Sequence, residues 1–236
     1  MKAMIFAAGL GTRLRPLTDH TPKALVPIAG KTMLERVILR LKDAGFNDIT
    51  INIHHFGEQI IEFLRTHNDF GATIHISDER DRLLDTGGGI KKARPFLDGN
   101  EPFLVHNADI ICDVDLAELY RHHRESNAEA TLLVSERQTS RYLLLDDDNL
   151  LHGWINKSTG KPSPETSFSK KENIGKWLLA AFMSYPLPFS AKWKVPNGKG
   201  NFPLSLSICP SARQPVYKAI RFKAATGSTS VNRKHW

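Results

Sequence analysis

The chain has few cysteines, no internal repeat and no apolar run of transmembrane length, and each absence excludes a class of protein. Only Cys112 and Cys209 occur among 236 residues, which is too few for a disulfide framework. The first residues lack the layout of a signal peptide, and no segment reads as a membrane span. We therefore expect a cytoplasmic protein with no membrane partner, long enough to bury a large core.

Acidic residues are missing from the last part of the chain. No Asp or Glu follows Glu172, whereas 12 of the 32 Lys and Arg residues lie from Lys170 onwards. The residues before this segment are slightly acidic, so the net charge of +7 does not describe a general basic surface. We expect no nucleic-acid partner, and the sequence does not indicate an oligomeric state.

Glycine is concentrated near the N-terminus, directly after the apolar run from Met4 to Ala8. The run predicts a buried strand. Gly9-Leu10-Gly11-Thr12-Arg13 follows, and a glycine-rich turn of this kind can point bare backbone amides at phosphate oxygens. Arg13 and Arg15 add guanidinium groups suited to phosphate, and Lys23 lies between prolines as a further cation. The stretch predicts a loop that binds a triphosphate, with Lys23 on a second segment as a further positive charge.

Two common nucleotide motifs do not fit this stretch. The dinucleotide fingerprint requires a third glycine where Leu14 stands, and no acidic residue ends the second strand, which disfavours an NAD-dependent oxidoreductase. A Walker P-loop ending at Lys31 requires a glycine where Leu25 stands.

Hydrophobic periodicity alternates between strand and helix over the first 136 residues. Capping boxes are predicted at Thr32 with Glu35 and at Asp115 with Glu118. A polar turn at 146–149 predicts a hairpin. The periodicity predicts helices at 33–44, 57–66 and 87–97 and after 115, and strands at 48–53, 72–77, 103–109 and 130–136. This order indicates a parallel α/β sheet whose ligands bind beyond the carboxyl ends of the strands.

Two features of that sheet edge could carry chemistry. Asp109 ends a predicted strand, and from spacing alone a magnesium ligand and a turn or helix-capping aspartate are about equally good interpretations. Gly87, Gly88 and Gly89 open a helix at an entropic cost, which favours a close backbone approach to a ligand over a mobile loop.

The string GLGTRLRPLT followed by PKALVPIAGKTMLE resembles the signature of the sugar-1-phosphate nucleotidyltransferases. The resemblance is clear over residues 1–161. It is greatest to N-acetylmuramate-1-phosphate uridylyltransferase-like and mannose-1-phosphate guanylyltransferase-like bacterial enzymes, and the DTGGG string at 85–89 favours the muramate type. The resemblance implies a Rossmann-like three-layer sandwich with a mostly parallel mixed sheet, the nucleotide-diphospho-sugar transferase fold.

The resemblance also implies an activity. The chain is expected to transfer a nucleotidyl group from a nucleoside triphosphate to a sugar 1-phosphate with Mg²⁺, releasing pyrophosphate. UTP with N-acetylmuramate or N-acetylhexosamine 1-phosphate is the favoured pair. GTP with mannose 1-phosphate and dTTP with glucose 1-phosphate stay open, as does a non-catalytic module that binds nucleotide or sugar phosphate.

Family roles are carried over only to matching positions. Arg13, Lys23 and Asp109 are expected to be catalytic, with Asp109 as the metal ligand. Lys23, Arg141 and Asn156 are expected to bind the sugar phosphate. The expected nucleotide-binding residues are Ala7, Ala8, Gly9, Gly11, Thr12, Arg13, Thr86, Gly87, Gly88 and Asn107.

The last part of the chain departs from the family pattern. We divide the chain into a nucleotidyltransferase domain at 1–175 and an aberrant, poorly ordered segment at 176–236. After Trp177 no alternating strand or amphipathic helix is predicted. A shifted reading of the codons at 224–236 allows the family's closing signature, whose aspartate is the second metal ligand. We therefore expect frame-changing insertions or deletions in the gene after about residue 175.

Overall fold

The structure, a computed structural model, describes residues 1–126, 128–134, 141–146, 148–156, 159, 161–163, 173–175, 180–183 and 217–221. Its helices are α1 (Met33–Asp43), α2 (Gly57–Thr66), α3 (Asp85–Leu97) and α4 (Leu116–Glu125). Its strands are β1 (Lys2–Phe6), β2 (Pro27–Ile28), β3 (Lys31–Thr32), β4 (Asp48–Ile53), β5 (Thr73–Asp78), β6 (Phe103–Asn107), β7 (Ala130–Val134), β8 (Arg141–Leu145), β9 (Leu151–Asn156), β10 (Lys161–Ser163), β11 (Asn173–Gly175), β12 (Ala180–Met183) and β13 (Tyr217–Arg221).

In the part of the chain that the structure describes, the central sheet contains seven strands in the order β13-β7-β12-β6-β1-β4-β5. Strands β1, β4, β5 and β6 pair in parallel, as β7 does with β13, whereas β12 runs antiparallel to both of its neighbours. The predicted mostly parallel mixed sheet is therefore confirmed. Parallel strands joined by helices bring their carboxyl ends to one edge, where ligands bind in folds of this type.

Helices cover both faces of the sheet, which gives the predicted three layers. One core joins Ala3 and Ile5 of β1 to apolar side chains of α1, α2 and α4. The other joins Met4 of β1 to Ile90 and Ala93 of α3. The alternation along β1 follows from the two-residue period of a strand, whose successive side chains point to opposite faces.

The predicted helix starts and the hairpin are confirmed. The Thr32 hydroxyl accepts a hydrogen bond from the Glu35 amide at 3.1 Å, and the Asp115 carboxylate accepts one from the Glu118 amide at 2.9 Å. Strands β8 and β9 form the hairpin within a four-stranded antiparallel sheet ordered β10-β9-β8-β11. Each cap satisfies an amide that the first helical turn leaves without an intrahelical partner.

Two of the described strands lie after Trp177, where neither an alternating strand nor an amphipathic helix is predicted from the sequence. Strand β12 pairs with both β6 and β7, and β13 pairs with β7. Strand pairing uses main-chain groups, so an apolar segment as short as β12 can join a sheet without an alternating pattern. The other residues of 176–236 lie outside those described, and the division at 175, the poor order and the altered reading frame stay predictions.

Candidate active site

The carboxyl ends of β1, β4 and β6 lie side by side. Phe6, the last residue of β1, is opposite Asn52 of β4 and Asn107 of β6. The Ala108 amide donates to the Phe6 carbonyl at 3.0 Å, which continues the pairing by one residue beyond β6. The glycine-rich loop after β1 and the aspartate after β6 therefore leave the sheet next to each other.

The loop after β1 holds its shape through Gly11. Its φ of +66° lies in the left-handed region, and its carbonyl accepts a hydrogen bond from the Thr18 hydroxyl at 2.9 Å. A Cβ at this position would lie 2.9 Å from Thr18 Cγ2 and 3.1 Å from Lys23 Cβ. Only glycine combines this conformation with this packing, so the loop is seated directly against the segment that carries Lys23.

Backbone amides of the same loop are available to a ligand. In the described residues, the amides of Gly9, Leu10 and Gly11 donate to no protein acceptor. Thr12 and Arg13 follow in a one-turn 3-10 helix, and both are exposed. Neighbouring free amides beside an exposed guanidinium are a suitable arrangement for phosphate oxygens.

Lys23 and Asp109 form an ion pair at the sheet edge. Their side chains are 30% and 35% exposed, so the pair faces solvent and a ligand can reach it. The structure thus brings three predicted site residues together, since Gly11 packs on Lys23 and Lys23 contacts Asp109.

Ala7 and Ala8 are held by a side chain, Asn52, that no sequence motif singles out. Asn52 Oδ1 accepts hydrogen bonds from the Ala7 amide at 2.8 Å and the Ala8 amide at 3.3 Å. These two amides are therefore occupied within the protein. Any contact of Ala7 or Ala8 with a nucleotide must use other atoms of the backbone or the small side chains.

The glycine cluster at 87–89 lies at the start of α3. The helix starts at Asp85, two residues earlier than predicted, and contains Thr86, Gly87 and Gly88. Leu84 precedes it and supplies no side-chain cap, so the first amides of the helix can interact with a ligand. Glu79, which the sequence analysis also missed, is fully buried beside this turn and accepts a hydrogen bond from the Leu84 amide at 3.0 Å.

His106 lies in β6, three residues before Asp109, and is only 1% exposed. Burial lowers the pKa of His106 to about 4, and the nearby charge of Arg40 also lowers it, while a hydrogen bond with the Asn107 carbonyl opposes these effects. The imidazole is therefore neutral at pH 7. A buried, neutral imidazole cannot act as the acid that gives a proton to a ligand.

Arg141 and Asn156 are partners in register across the hairpin of β8 and β9. The Arg141 side chain lies outside the described residues. The structure therefore puts the two positions together on the second sheet, and their binding of the sugar phosphate stays a prediction.

A magnesium ion fits the carboxylate at this edge. Asp109 is exposed and already pairs with Lys23, against which Gly11 of the loop packs. Within the ranges that the structure describes, no group of three or more His, Cys, Asp and Glu side chains could hold a metal. Mg²⁺ commonly takes one or two protein carboxylates and completes its shell with phosphates and water, and the exposed Asp109 carboxylate can serve as one such ligand.

Comparison with known proteins finds a match to the family described as Nucleotidyl transferase over residues 2–183. The chain is 46% identical over 121 residues to N-acetylmuramate alpha-1-phosphate uridylyltransferase of Neisseria meningitidis, covering 51% of this chain and 52% of that protein. It is 34% identical over 183 residues to mannose-1-phosphate guanylyltransferase catalytic subunit beta of Drosophila pseudoobscura, covering 75% of this chain and 47% of that protein.

The chain thus spans about half the length of these curated relatives. Among solved structures, HddC from Yersinia pseudotuberculosis superposes with a TM-score of 0.66 at 24% identity, covering 94% of this chain and 90% of that one. At this identity the superposition supports the fold alone. In the described helices, none is both long and apolar enough to cross a membrane. From the family match over residues 2–183, the chain belongs to the nucleotidyl transferase family.

Proposed function

We propose that this chain transfers a nucleotidyl group from a nucleoside triphosphate to a sugar 1-phosphate and releases pyrophosphate. The observation that carries the proposal is the ion pair between Lys23 and Asp109 beside the glycine-rich loop. This arrangement puts a cation, a carboxylate and free amides at one edge of a parallel sheet, in a chain of the nucleotidyl transferase family.

Phosphate binding is assigned to the loop after β1. The amides of Gly9, Leu10 and Gly11 would hold oxygens of the triphosphate, and Arg13 would neutralise its charge. Both contributions act by preorganised electrostatics, which require no rearrangement when charge develops at the reacting phosphorus. The first turn of α3, with Thr86, Gly87 and Gly88, would pack against the base and ribose.

Asp109 is the residue that would hold Mg²⁺. A magnesium ion held there would supply positive charge to stabilise the reacting phosphates. Lys23 contacts the same carboxylate. Its ammonium group would turn to the phosphates once a divalent cation shares Asp109.

The chemistry needs no general base from the protein. An oxygen of the sugar phosphate, already largely ionised at neutral pH, would attack the α-phosphorus in line. The bond from that phosphorus to the bridging oxygen would break, and pyrophosphate would leave with the electron pair. The protein's part is positioning and charge neutralisation, as in other phosphoryl-type transfers, and the neutral, buried His106 agrees with this division of roles.

For the substrates, we propose uridylyl transfer to N-acetylmuramate 1-phosphate or an N-acetylhexosamine 1-phosphate. The identity of 46% to the Neisseria uridylyltransferase supports this choice. Guanylyl transfer to mannose 1-phosphate is the second candidate, supported by the 34% identity to the Drosophila guanylyltransferase subunit. Because nucleoside triphosphates are intracellular substrates, we place the activity in the cytoplasm.

The experiment is a panel of UTP, GTP, dTTP and ATP against four sugar 1-phosphates, those of N-acetylmuramate, N-acetylglucosamine, mannose and glucose. Pyrophosphate release and the nucleotide-sugar product are measured with Mg²⁺, and each nucleotide without sugar phosphate is the control. We expect release with UTP and an N-acetylated sugar. A protein that binds UTP in a titration but releases no pyrophosphate with any pair would instead be a binding module.

A further inference from the structure

Two polar side chains lie buried between the central sheet and α3. Asn52, in β4, is 2% exposed, and Glu79, directly after β5, is fully buried. Burying an amide and a carboxyl group is unfavourable unless both are hydrogen-bonded. Their position at the carboxyl edge, between the loop after β1 and the start of α3, calls for a physical explanation.

Hydrogen bonds connect the two side chains into one bridge. Asn52 Oδ1 accepts from the amides of Ala7 and Ala8, and Asn52 Nδ2 donates to Glu79 Oε1 at 2.8 Å. Glu79 Oε2 accepts from the Leu84 amide at 3.0 Å. The bridge therefore runs without interruption from Ala7 and Ala8, at the start of the loop after β1, to the residue before α3.

The backbone of α3 lies directly on this bridge. A Cβ at Gly89 would lie 2.9 Å from Glu79 Oε1 and 3.1 Å from Asn52 Nδ2. The main chain of Glu79 is fixed as well, because its amide donates to the Ile53 carbonyl at 2.8 Å. The distance between the helix and the sheet is thus set by the pair.

We infer that Asn52 and Glu79 are positioning residues that hold the loop after β1 and the first turn of α3 at the separation required by one bound nucleotide. The inference rests on the proposed function, in which the loop binds the phosphates and the helix start packs on the nucleoside. Neither residue touches the nucleotide; each acts through the backbone that it fixes.

The chemistry of the pair explains the residue types. Asparagine presents an acceptor to two amides and a donor to a carboxylate from one short side chain. An aspartate at position 52 would keep the acceptor but would put a second carboxylate against Glu79. A glutamine at position 79 would keep an acceptor for Leu84, and its amide group would then face the Asn52 donor.

The test exchanges the two functional groups. Asn52→Asp and Glu79→Gln are made singly and together, because the double variant restores donor and acceptor in the opposite sense, with the new amide at position 79 donating to the new carboxylate at position 52. Thr50→Val is the matched control. Thr50 is buried two residues earlier on the same strand face, and its hydroxyl has no hydrogen-bond partner in the described residues.

Two readouts are used. The first is amide hydrogen exchange of residues 5–10 and 84–89 without nucleotide, and the second is the dissociation constant for UTP. We expect Asn52→Asp to increase exchange in both segments and to weaken UTP binding at least tenfold. The double variant should return both readouts to within threefold of wild type, and Thr50→Val should change neither.

Unchanged exchange and UTP affinity in both single variants would overturn the inference, as would a double variant no better than Asn52→Asp. If Asn52→Asp does not fold, Glu79→Gln is compared with the double variant instead. A double variant whose hydrogen exchange and UTP affinity are no closer to wild type than those of Glu79→Gln would then overturn the inference. Hydrogen exchange without nucleotide tests the bridge itself. A wild-type protein that binds UTP but releases no pyrophosphate would overturn only the proposed reaction.

Discussion

The ammonium group of Lys23 forms an ion pair with the Asp109 carboxylate, across 86 residues of sequence. Without a metal, the pair balances the charge of the aspartate that would hold Mg²⁺. A divalent cation and a lysine compete for one carboxylate, so loading with magnesium and nucleotide should release Lys23 towards the phosphates.

That competition predicts that Lys23→Met lowers turnover without raising the magnesium requirement. Turnover should fall about 100-fold, because one electrostatic stabiliser of the reacting phosphates is lost. The Mg²⁺ concentration for half-maximal rate should not rise, since Asp109 no longer has a competing cation. Steady-state rates over a magnesium titration measure both. Lys91→Met, an exposed position on α3, is the control, and a raised magnesium requirement in Lys23→Met would contradict the competition.

Arg13→Ala should cost about 2–4 kcal/mol of transition-state stabilisation, the usual range for one group that neutralises developing charge. The measurement is kcat/KM for pyrophosphate release. Arg121→Ala removes a guanidinium whose side chain is 64% exposed on α4 and should leave the rate unchanged. Near-normal turnover in Arg13→Ala would remove this residue from the triphosphate site.

Gly11→Ala should both destabilise the protein and weaken nucleotide binding. The left-handed φ and the close approach to Thr18 Cγ2 should cost about 1–2 kcal/mol in the free energy of unfolding. Urea unfolding gives this value. Gly9→Ala is the stability control, because a Cβ there has no atom within 4 Å. Equal stability of the two variants would contradict the described loop conformation.

Stability should decrease in mild acid through His123. Burial lowers the pKa of His123 to about 4, with a smaller lowering from His122, from an ordinary value of 6.5. Below pH 6.5 the unfolded chain therefore binds a proton that the folded chain does not, so this contribution to stability is complete above pH 6.5 and lost as the pH falls towards 4.

The loss from His123 should reach about 2 kcal/mol between pH 7 and pH 5. His106, whose pKa is also lowered to about 4, should contribute a similar loss, so His123→Gln should remove about half of the combined pH dependence in urea unfolding experiments at the two pH values. The same pH dependence in wild type and variant would show that another group controls stability in this range.

Local signals in the sequence predicted much of the fold and part of the site. Helix caps such as Thr32 with Glu35 are short-range motifs, and the glycine-rich turn after β1 carries its own conformational requirement. The proximity of Asp109 to that turn followed from parallel strands sharing a carboxyl edge.

Asn52 and Glu79 were not predicted, because a polar residue in or after an apolar strand does not reveal which distant groups it will bind. Asn52 reaches back 45 residues to Ala7, and only the folded chain brings these atoms together. Strand β12 was missed for a related reason, since its place depends on main-chain pairing with β6 and β7 and not on its own residue pattern.

Pyrophosphate release by Asp109→Asn shows whether this carboxylate holds the magnesium that nucleotidyl transfer would require. The assay uses UTP, N-acetylmuramate 1-phosphate and a magnesium titration, with Asp43→Asn, an exposed carboxylate at the end of α1, as the control. We predict a loss of about 2–4 kcal/mol in transition-state stabilisation for Asp109→Asn and wild-type rates for Asp43→Asn. If turnover and magnesium dependence in Asp109→Asn equal those of wild type, Asp109 is not the magnesium ligand.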